Sequence, residues 1–273
     1  IKEIEVGSSD IRPNRLLVMD ASGDTIDLPG TETIEPTFGL PAMWVDPDNR
    51  EEATFKGYTV VDPATVITTH LTELIRDNMS ELLSYVETQN LLDELPNEHQ
   101  KLVGEVVPNQ ISVGGIQRVL QNLLNERVSI RDLPTILEGI SEACAFTRNV
   151  TQLTEHVRSR LARQISEQNS TEDNFIPLVT LSAEWEQIFS DSILDQGEDK
   201  QLSMAPSQLQ RFIGAVRTTL DELADKEDPP VVLTSPTARP FVRSIIERFR
   251  PTTSIMSQNE LHPKAKIKTL GQI

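Results

Sequence analysis

The chain has few of the residues that form metal sites. It contains one Cys and four His in 273 residues, and no His lies four positions from another His or beside the Cys. Zinc sites and helical His pairs depend on such spacings, so the sequence predicts no metal site. A single Cys also excludes an internal disulfide framework and favours a reducing compartment. We interpret Cys144, on an apolar helix, as a packed thiol and not a reactive one.

Motifs for nucleotide binding and nucleophilic catalysis are also missing. The pair Gly114–Gly115 opens a helix but lacks the Lys and Ser/Thr of a phosphate-binding loop. No Ser lies in the glycine-flanked pattern of a nucleophile elbow. His70 follows two Thr residues near the start of a helix, and we interpret it as a partly buried polar residue. The sequence therefore predicts a protein that is not an enzyme and carries no cofactor.

Basic residues and long apolar runs are scarce. The formal net charge is −17, which argues against nucleic-acid binding because phosphate contacts need a basic patch. No apolar run approaches the roughly 20 residues that a membrane helix needs. A hydrophobic content of 37% is typical of a folded chain, and its length allows two or more cores. Because the chain starts without Met on an apolar segment, we expect it to be part of a longer protein.

The first sixty residues favour short strands. Residues 1–6 alternate apolar and polar side chains, which predicts a half-buried strand. Residues 16–19, 43–45 and 58–61 also predict strands, separated by turns rich in Pro, Gly and Asn. We expect a further strand at residues 53–56. The result is a small, mostly β module.

The middle of the chain predicts helices with clear start signals. Pro63 favours a helix start because its missing N–H is not needed in the first turn. Ser112, Asp132 and Asn149 precede apolar periodic segments and predict N-caps. We expect one continuous helix over residues 150–166.

After the polar segment 169–174, strands alternate with helices. Residues 175–181, 230–234 and 253–258 predict strands, which indicates an α/β domain with a partly parallel sheet. Residues 196–200 predict a loop.

Phe38 and Leu40 leave two interpretations open. They lie in a proline-interrupted segment of a thin β module, where large apolar side chains are hard to bury. Either they form ordinary core against the first long helix, or they line an apolar groove that takes a partner helix.

Four segments resemble a known family, the flagellar export gate proteins of type III secretion (FHIPEP family). The segments are residues 35–45 (EPTFGLPAMWV), 57–71 (GYTVVDPATVITTHL), 119–138 (VLQNLLNERVSIRDLPTILE) and 153–165 (LTEHVRSRLARQI). The similarity runs from about residue 7 to 271 and is to the C-terminal cytoplasmic half of that family. Injectisome export gates share the helical segments, whereas the segment around Phe38 and Trp44 is more like the flagellar branch.

The resemblance implies a multi-subdomain fold that mixes α+β and α/β parts. Residues 1–13 and 62–82 would form a discontinuous α/β subdomain whose N-terminal part is missing, and residues 14–61 a β-rich insertion in it. Residues 83–168 would form a helical subdomain and residues 169–273 a C-terminal α/β subdomain.

The resemblance also implies a docking platform for export chaperone–substrate complexes. Its groove lies between the first two subdomains, and the motif positions here are Glu35, Phe38 and Thr69. The expected apolar lining is Leu40, Val61 and Val66. In this hypothesis the apolar side chains bury a chaperone helix, and Glu35 and Thr69 fix its register by hydrogen bonds.

Further partners follow from the same resemblance. The family forms a nonameric ring at the cytoplasmic face of the bacterial inner membrane, anchored by an N-terminal half absent here, and other components of the export apparatus, such as the ATPase complex stalk and switch proteins, would contact it. The alternatives are an injectisome export gate domain and a ligand-binding or catalytic α/β protein.

Overall fold

A computed structural model describes residues 1–20, 23, 25–196, 199–223 and 228–273. The chain divides into two compact units, Ile1–Leu82 and Leu83–Ile273, and each is described by itself. The chain contains both helices and strands, and the strands form several separate sheets. This confirms the predicted mixed α+β fold. Within the described ranges, no helix is both long enough and apolar enough to cross a membrane.

In its described residues, the first unit contains a four-stranded sheet, three α-helices and a short 3-10 helix (Pro47–Asn49). Its elements are β1 (Leu16–Met19), β2 (Gly30–Ile34), β3 (Pro41–Val45), α1 (Arg50–Phe55), β4 (Thr59–Val61), α2 (Pro63–Asp77) and α3 (Met79–Leu82). The strand order is β2-β3-β1-β4, and every neighbouring pair is antiparallel.

This sheet is buried on both faces by alternating side chains. Leu16 and Val18 of β1 pack in a cluster with Ala53 of α1. Leu17, between them in sequence, belongs to a second cluster that contains Trp44 and Val66 of α2. Because successive residues of a strand point to opposite faces, α1 and α2 lie on opposite sides of the sheet.

Two predictions for this unit are wrong. Residues 1–6 form a turn and irregular backbone, in which the Ile4 N–H donates to the Ile1 carbonyl at 2.9 Å. The alternating pattern predicted a strand, but a strand also needs a neighbour for its backbone groups. Residues 53–56 are not a strand either: α1 covers most of them, with Glu51 and Glu52 in its first turn, where acidic side chains favour a helix start.

The second unit begins with a helical layer. Its helices are α4 (Tyr85–Asp93), α5 (Asn97–Val106), α6 (Val113–Asn125), α7 (Leu133–Ala143), α8 (Val150–Arg160) and α9 (Ala162–Gln168). The side chains of Ser112, Asp132 and Asn149 cap α6, α7 and α8 by accepting backbone N–H bonds, as predicted. The single helix predicted over residues 150–166 is instead two helices, because the buried Leu161 leaves helical geometry between them.

The rest of the second unit is an α/β layer. It contains β5 (Phe175–Thr180), α10 (Ala183–Ser192), β6 (Ile193–Gln196), β7 (Asp199–Leu202), α11 (Pro206–Glu222), β8 (Val231–Thr234), α12 (Arg239–Ile246), β9 (Ile255–Ser257) and β10 (Lys266–Gln272). The main sheet has the order β10-β5-β8-β9, and all its pairs are parallel. Where a loop was predicted around residues 196–200, β6 and β7 form an antiparallel hairpin. Residues 197 and 198 lie outside the described part.

Three aromatic side chains pack together in the core of the α/β layer. Phe212 of α11 packs edge-on against Trp185 and Phe189 of α10, with ring centroids 5.1 and 5.0 Å apart. Both Phe rings are fully buried with Val179 and Val232 of the sheet. These contacts hold α10 and α11 on the parallel strands.

Candidate functional site

The predicted docking residues all lie in the first unit, on three different elements. The turn between β2 and β3 carries Glu35, Phe38 and Leu40. Val61 ends β4, and Val66 and Thr69 lie on the first two turns of α2. The residues therefore separate into a surface turn and a group beside the core, and the two parts differ in exposure.

The turn is organised by Glu35. Its backbone N–H donates to the Leu40 carbonyl at 2.8 Å, and its own carbonyl accepts the Gly39 N–H at 3.0 Å. Its carboxylate Oε2 accepts the Phe38 N–H at 2.6 Å. Gly39 has φ +70°, a left-handed conformation that favours glycine. One residue thus supplies a donor and two acceptors to the turn that carries Phe38.

Phe38 projects from this turn into solvent. Its side chain is 67% exposed, and the neighbouring Ile34 at the end of β2 is also exposed. Leu40 is half-buried. Exposed apolar side chains grouped in this way are typical of protein interaction sites.

A cavity of about 410 Å³ lies next to the turn. Leu17 and Trp44 of the sheet contribute its apolar side. Ile34 at the end of β2 also lines it, and the remaining lining residues are polar or belong to the turn: Ser8, Ser9, Asp10, Thr33, Glu35, Pro36 and Gly39. The cavity combines an apolar surface with hydrogen-bonding groups at its edges.

Val61 and Val66 belong mainly to the core. Val66 is buried against Leu17, Ala42 and Trp44, and Val61 is partly buried against the same cluster. Thr69, one turn further along α2, is half-buried. Val66 therefore supports the inner side of the sheet and presents little surface of its own to a partner.

An exposed apolar stripe on α2 was not part of the predicted site. Ile67, Leu71 and Ile75 repeat every four residues and are each about half exposed. Asp62 caps this helix by accepting the Thr65 N–H at 2.9 Å, and Val66 is its one buried residue. The sequence did carry a signal: apolar residues cover a wider arc of this helix than one sheet can bury.

A buried ionic cluster lies in the second unit, where the helical layer meets the α/β layer. Arg239, at the start of α12, is 2% exposed and binds Glu126 and Glu155 of the helical layer. Arg158 of α8 binds Glu126, with Nη1 3.2 Å from Oε2, and Glu260, with Nη2 2.6 Å from Oε2. Two cations and three anions are thus packed together, with Arg158, Arg239 and Glu260 buried and Glu126 and Glu155 half-buried.

The two helical-layer carboxylates respond differently to this burial. Burial alone would raise the pKa of Glu126, but the nearby Arg239 and Arg158 outweigh it and lower that pKa to about 2. For Glu155, burial dominates over the attraction of Arg239, and its pKa is raised above the ordinary value. Nothing in the sequence pointed to this cluster.

Metal-binding geometry is not found in the described part of the chain, where no three His, Cys, Asp or Glu side chains are placed to hold an ion. Cys144 is half-buried at the end of α7, with its Sγ 3.9 Å from the Gln110 carbonyl. Its packing agrees with a structural thiol.

Comparisons with known proteins agree on one family. Residues 1–266 match the FHIPEP family. The chain is 55% identical over 273 residues to the flagellar biosynthesis protein FlhA of Caulobacter vibrioides, an alignment that covers all of this chain and 39% of the relative.

Solved structures show the same fold. The Chlamydia pneumoniae CdsV protein is 28% identical with a TM-score of 0.82, and the match covers 96% of this chain and 76% of that one. The nonameric SctV-C of EPEC is 24% identical with a TM-score of 0.75, and the match covers 97% of this chain and 79% of that one.

Proposed function

The chain belongs to the FHIPEP family, as a domain of a type III protein export gate, and we propose that it docks export chaperone–substrate complexes at the surface around Phe38. The flagellar system is favoured over an injectisome, because the chain is 55% identical to a flagellar biosynthesis protein over its whole length. The proposal excludes catalysis by this domain.

The exposure of Phe38 on a fixed turn is the observation that carries this proposal. An aromatic side chain held in solvent by its backbone can bury its ring against a partner without first leaving a core. Full burial of a Phe side chain contributes about 1.5–3 kcal/mol. Ile34 precedes Phe38 in the chain and Leu40 follows it, and both add exposed apolar surface. A chaperone helix with apolar residues on one face fits such a surface.

Val61, Val66 and Thr69 belong to β4 and α2 and not to the turn that carries Phe38. Val61 and Val66 hold the sheet against α2, and the sheet carries the turn. Thr69 is partly accessible and is available for a hydrogen bond to the partner. In this proposal Phe38 and Leu40 make the apolar contact.

We also propose that the protein assembles into a ring at the cytoplasmic face of the bacterial inner membrane. The chain covers only 39% of its Caulobacter relative, so the membrane anchor would belong to the part that does not align. The stalk of the export ATPase complex and the switch proteins remain proposed partners.

Mass photometry of this chain at rising concentration tests the ring. The ring predicts discrete higher oligomers. Monomers alone, up to a 100-fold higher concentration, would contradict ring assembly by this chain.

Titration calorimetry tests the docking surface. A flagellar chaperone–substrate complex is titrated into the wild-type chain and into Phe38→Ala. We expect Phe38→Ala to weaken binding by about 1–3 kcal/mol, the range for truncating an interface anchor. Phe55→Ala is the matched control, because Phe55 is 93% exposed and lies on α1, which packs on the face of the sheet opposite to α2. Equal binding by Phe38→Ala and wild type, with unchanged melting curves, would contradict docking at Phe38.

A further inference from the structure

We propose that Glu35 is a positioning residue: it fixes the turn that presents Phe38 and does not itself contact the docked partner. This inference rests on the proposed function of the Phe38 surface. It changes the role expected from the sequence, in which the Glu35 carboxylate bonds directly to a chaperone. The recognition chemistry at this place is then apolar, with no charged contact from Glu35.

Burial and hydrogen bonding place the carboxylate inside the protein. Glu35 is 3% exposed, although it lies one residue after an exposed edge strand. Its Oε2 already accepts the Phe38 N–H at 2.6 Å, a short bond of the charge-assisted kind. A partner residue approaching from solvent meets Phe38 first, because Phe38 is 67% exposed and Glu35 is not.

All three described hydrogen bonds that close the turn use Glu35. Besides the carboxylate bond, its N–H donates to Leu40 and its carbonyl accepts from Gly39. The two backbone bonds use groups that every residue except Pro supplies at position 35. The carboxylate bond holds the backbone N–H of Phe38 itself. It is the one of the three bonds that depends on the Glu35 side chain.

Fixing that backbone raises affinity because it lowers the entropy lost on binding. A mobile turn must be ordered before its aromatic side chain can dock, and each ordered residue costs conformational entropy. The cavity of about 410 Å³ beside the turn offers the Phe38 side chain a second position, which competes with its exposed one. Without the Glu35 bond, the turn is free to move Phe38 toward the apolar side of that cavity, formed by Leu17 and Trp44, and so remove it from the docking surface.

The test separates the hydrogen bond from the negative charge. Glu35→Gln keeps an oxygen acceptor and removes the charge, whereas Glu35→Ala removes both. Binding of a flagellar chaperone–substrate complex is measured by calorimetry for both variants, for Phe38→Ala and for the double variant E35A/F38A. Hydrogen exchange of the Phe38 amide, followed by mass spectrometry or NMR, reports the turn without any partner present.

We expect Glu35→Gln to bind within about threefold of wild type and Glu35→Ala to bind at least tenfold more weakly. Exchange of the Phe38 amide should be faster in Glu35→Ala and close to wild type in Glu35→Gln. The double variant should bind no more weakly than Phe38→Ala alone, because both changes remove the same contact.

Three outcomes would overturn the inference. If Glu35→Gln lost as much binding as Glu35→Ala while its Phe38 amide stayed protected, the charge would be contacting the partner. If Glu35→Ala bound like wild type while Phe38→Ala did not, docking at Phe38 would stand and the positioning role would fall. If Phe38→Ala bound like wild type, the docking function would fall, and the role of Glu35 in it as well.

Discussion

Arg239 donates to both oxygens of the Glu126 carboxylate, from Nη1 to Oε2 at 2.6 Å and from Nη2 to Oε1 at 3.0 Å, although the two residues are 113 positions apart. Its Nε also donates to Oε2 of Glu155 at 2.5 Å. One side chain of α12 therefore joins the end of α6 and the middle of α8. Arg239 and the Arg158–Glu260 pair both cross the junction between the helical layer and the α/β layer.

Replacing Arg239 should be strongly destabilising. Arg239→Met fills similar space but leaves three carboxylates, one buried and two half-buried, with Arg158 as their remaining cation in the cluster. Removing one partner of a buried ion pair costs about 3–5 kcal/mol of unfolding free energy. Urea unfolding measures the change. Lys101→Met is the control, since Lys101 and Glu105 form an exposed pair and its loss should cost less than about 1 kcal/mol. A loss of similar size in both variants would show that the cluster contributes little.

Glu126 should make the second unit less stable in acid. Its pKa is about 2 in the folded protein and 4.5 for an ordinary Glu, so its contribution is complete above pH 4.5 and is lost as the pH falls toward 2. The full contribution is about 3 kcal/mol, from a shift of about 2.5 pKa units. Unfolding free energies at pH 5 and pH 3 should differ less in Glu126→Gln than in wild type.

Glu155 should change stability with pH in the opposite direction to Glu126. Its pKa is raised by burial, so its contribution is present below the ordinary pKa and is lost as the pH rises through the raised value. Glu155→Gln should therefore not flatten the acid loss that Glu126→Gln flattens. Identical pH dependence in the two variants would contradict the assignment of the acid loss to Glu126.

Adjacent residues of α2 should differ in their effect on stability. Val66→Ala removes two methyl groups from the cluster with Leu17 and Trp44 and should lower the unfolding free energy of the first unit by about 2 kcal/mol. Ile67→Ala, at an exposed position, should lower it by less than about 1 kcal/mol. Fluorescence of Trp44 in a Trp185→Phe background follows this unit selectively. Equal effects would mean that the face of α2 turned toward the sheet is not the one described.

The cap of α6 offers a local test. Ser112 Oγ accepts the Gly115 N–H at 3.1 Å, and Ser112→Ala should cost about 1 kcal/mol in urea unfolding. Ser112→Asp keeps an acceptor at the cap and should retain most of the stability. If both variants lost the same amount, the hydroxyl would matter for packing and not for capping.

The sequence predicted best what is decided locally. Asp132 and Asn149 were predicted as caps and are caps, because a cap needs only a side-chain oxygen and an N–H three residues ahead. Residues 1–6 were predicted as a strand from alternation alone, and the prediction was wrong because pairing depends on a distant neighbour. The Arg239 cluster could not be predicted, since charged residues far apart in the chain give no pattern that distinguishes burial from solvation.

The candidate site shows the same limit. Phe38 was selected because it lies in a proline-interrupted segment and because of the family resemblance. The exposure of Phe38 agrees with a surface role. Val66 is in the core because it packs against Leu17, Ala42 and Trp44, which lie on strands distant from it in the sequence. The pattern of α2 alone does not show which of its apolar residues meets the sheet.

The strand order β10-β5-β8-β9 has a consequence for synthesis on the ribosome. β5 leaves the ribosome before β8 and β9, yet one of its edges stays unpaired until residues 266–272 emerge and add as a parallel strand. Until then Ile176 and Leu178, buried in the finished protein, lie beside an open edge that another nascent chain can pair with. Translation that stops before Lys266 would therefore release an aggregation-prone chain that holds every other described helix and strand but lacks β10.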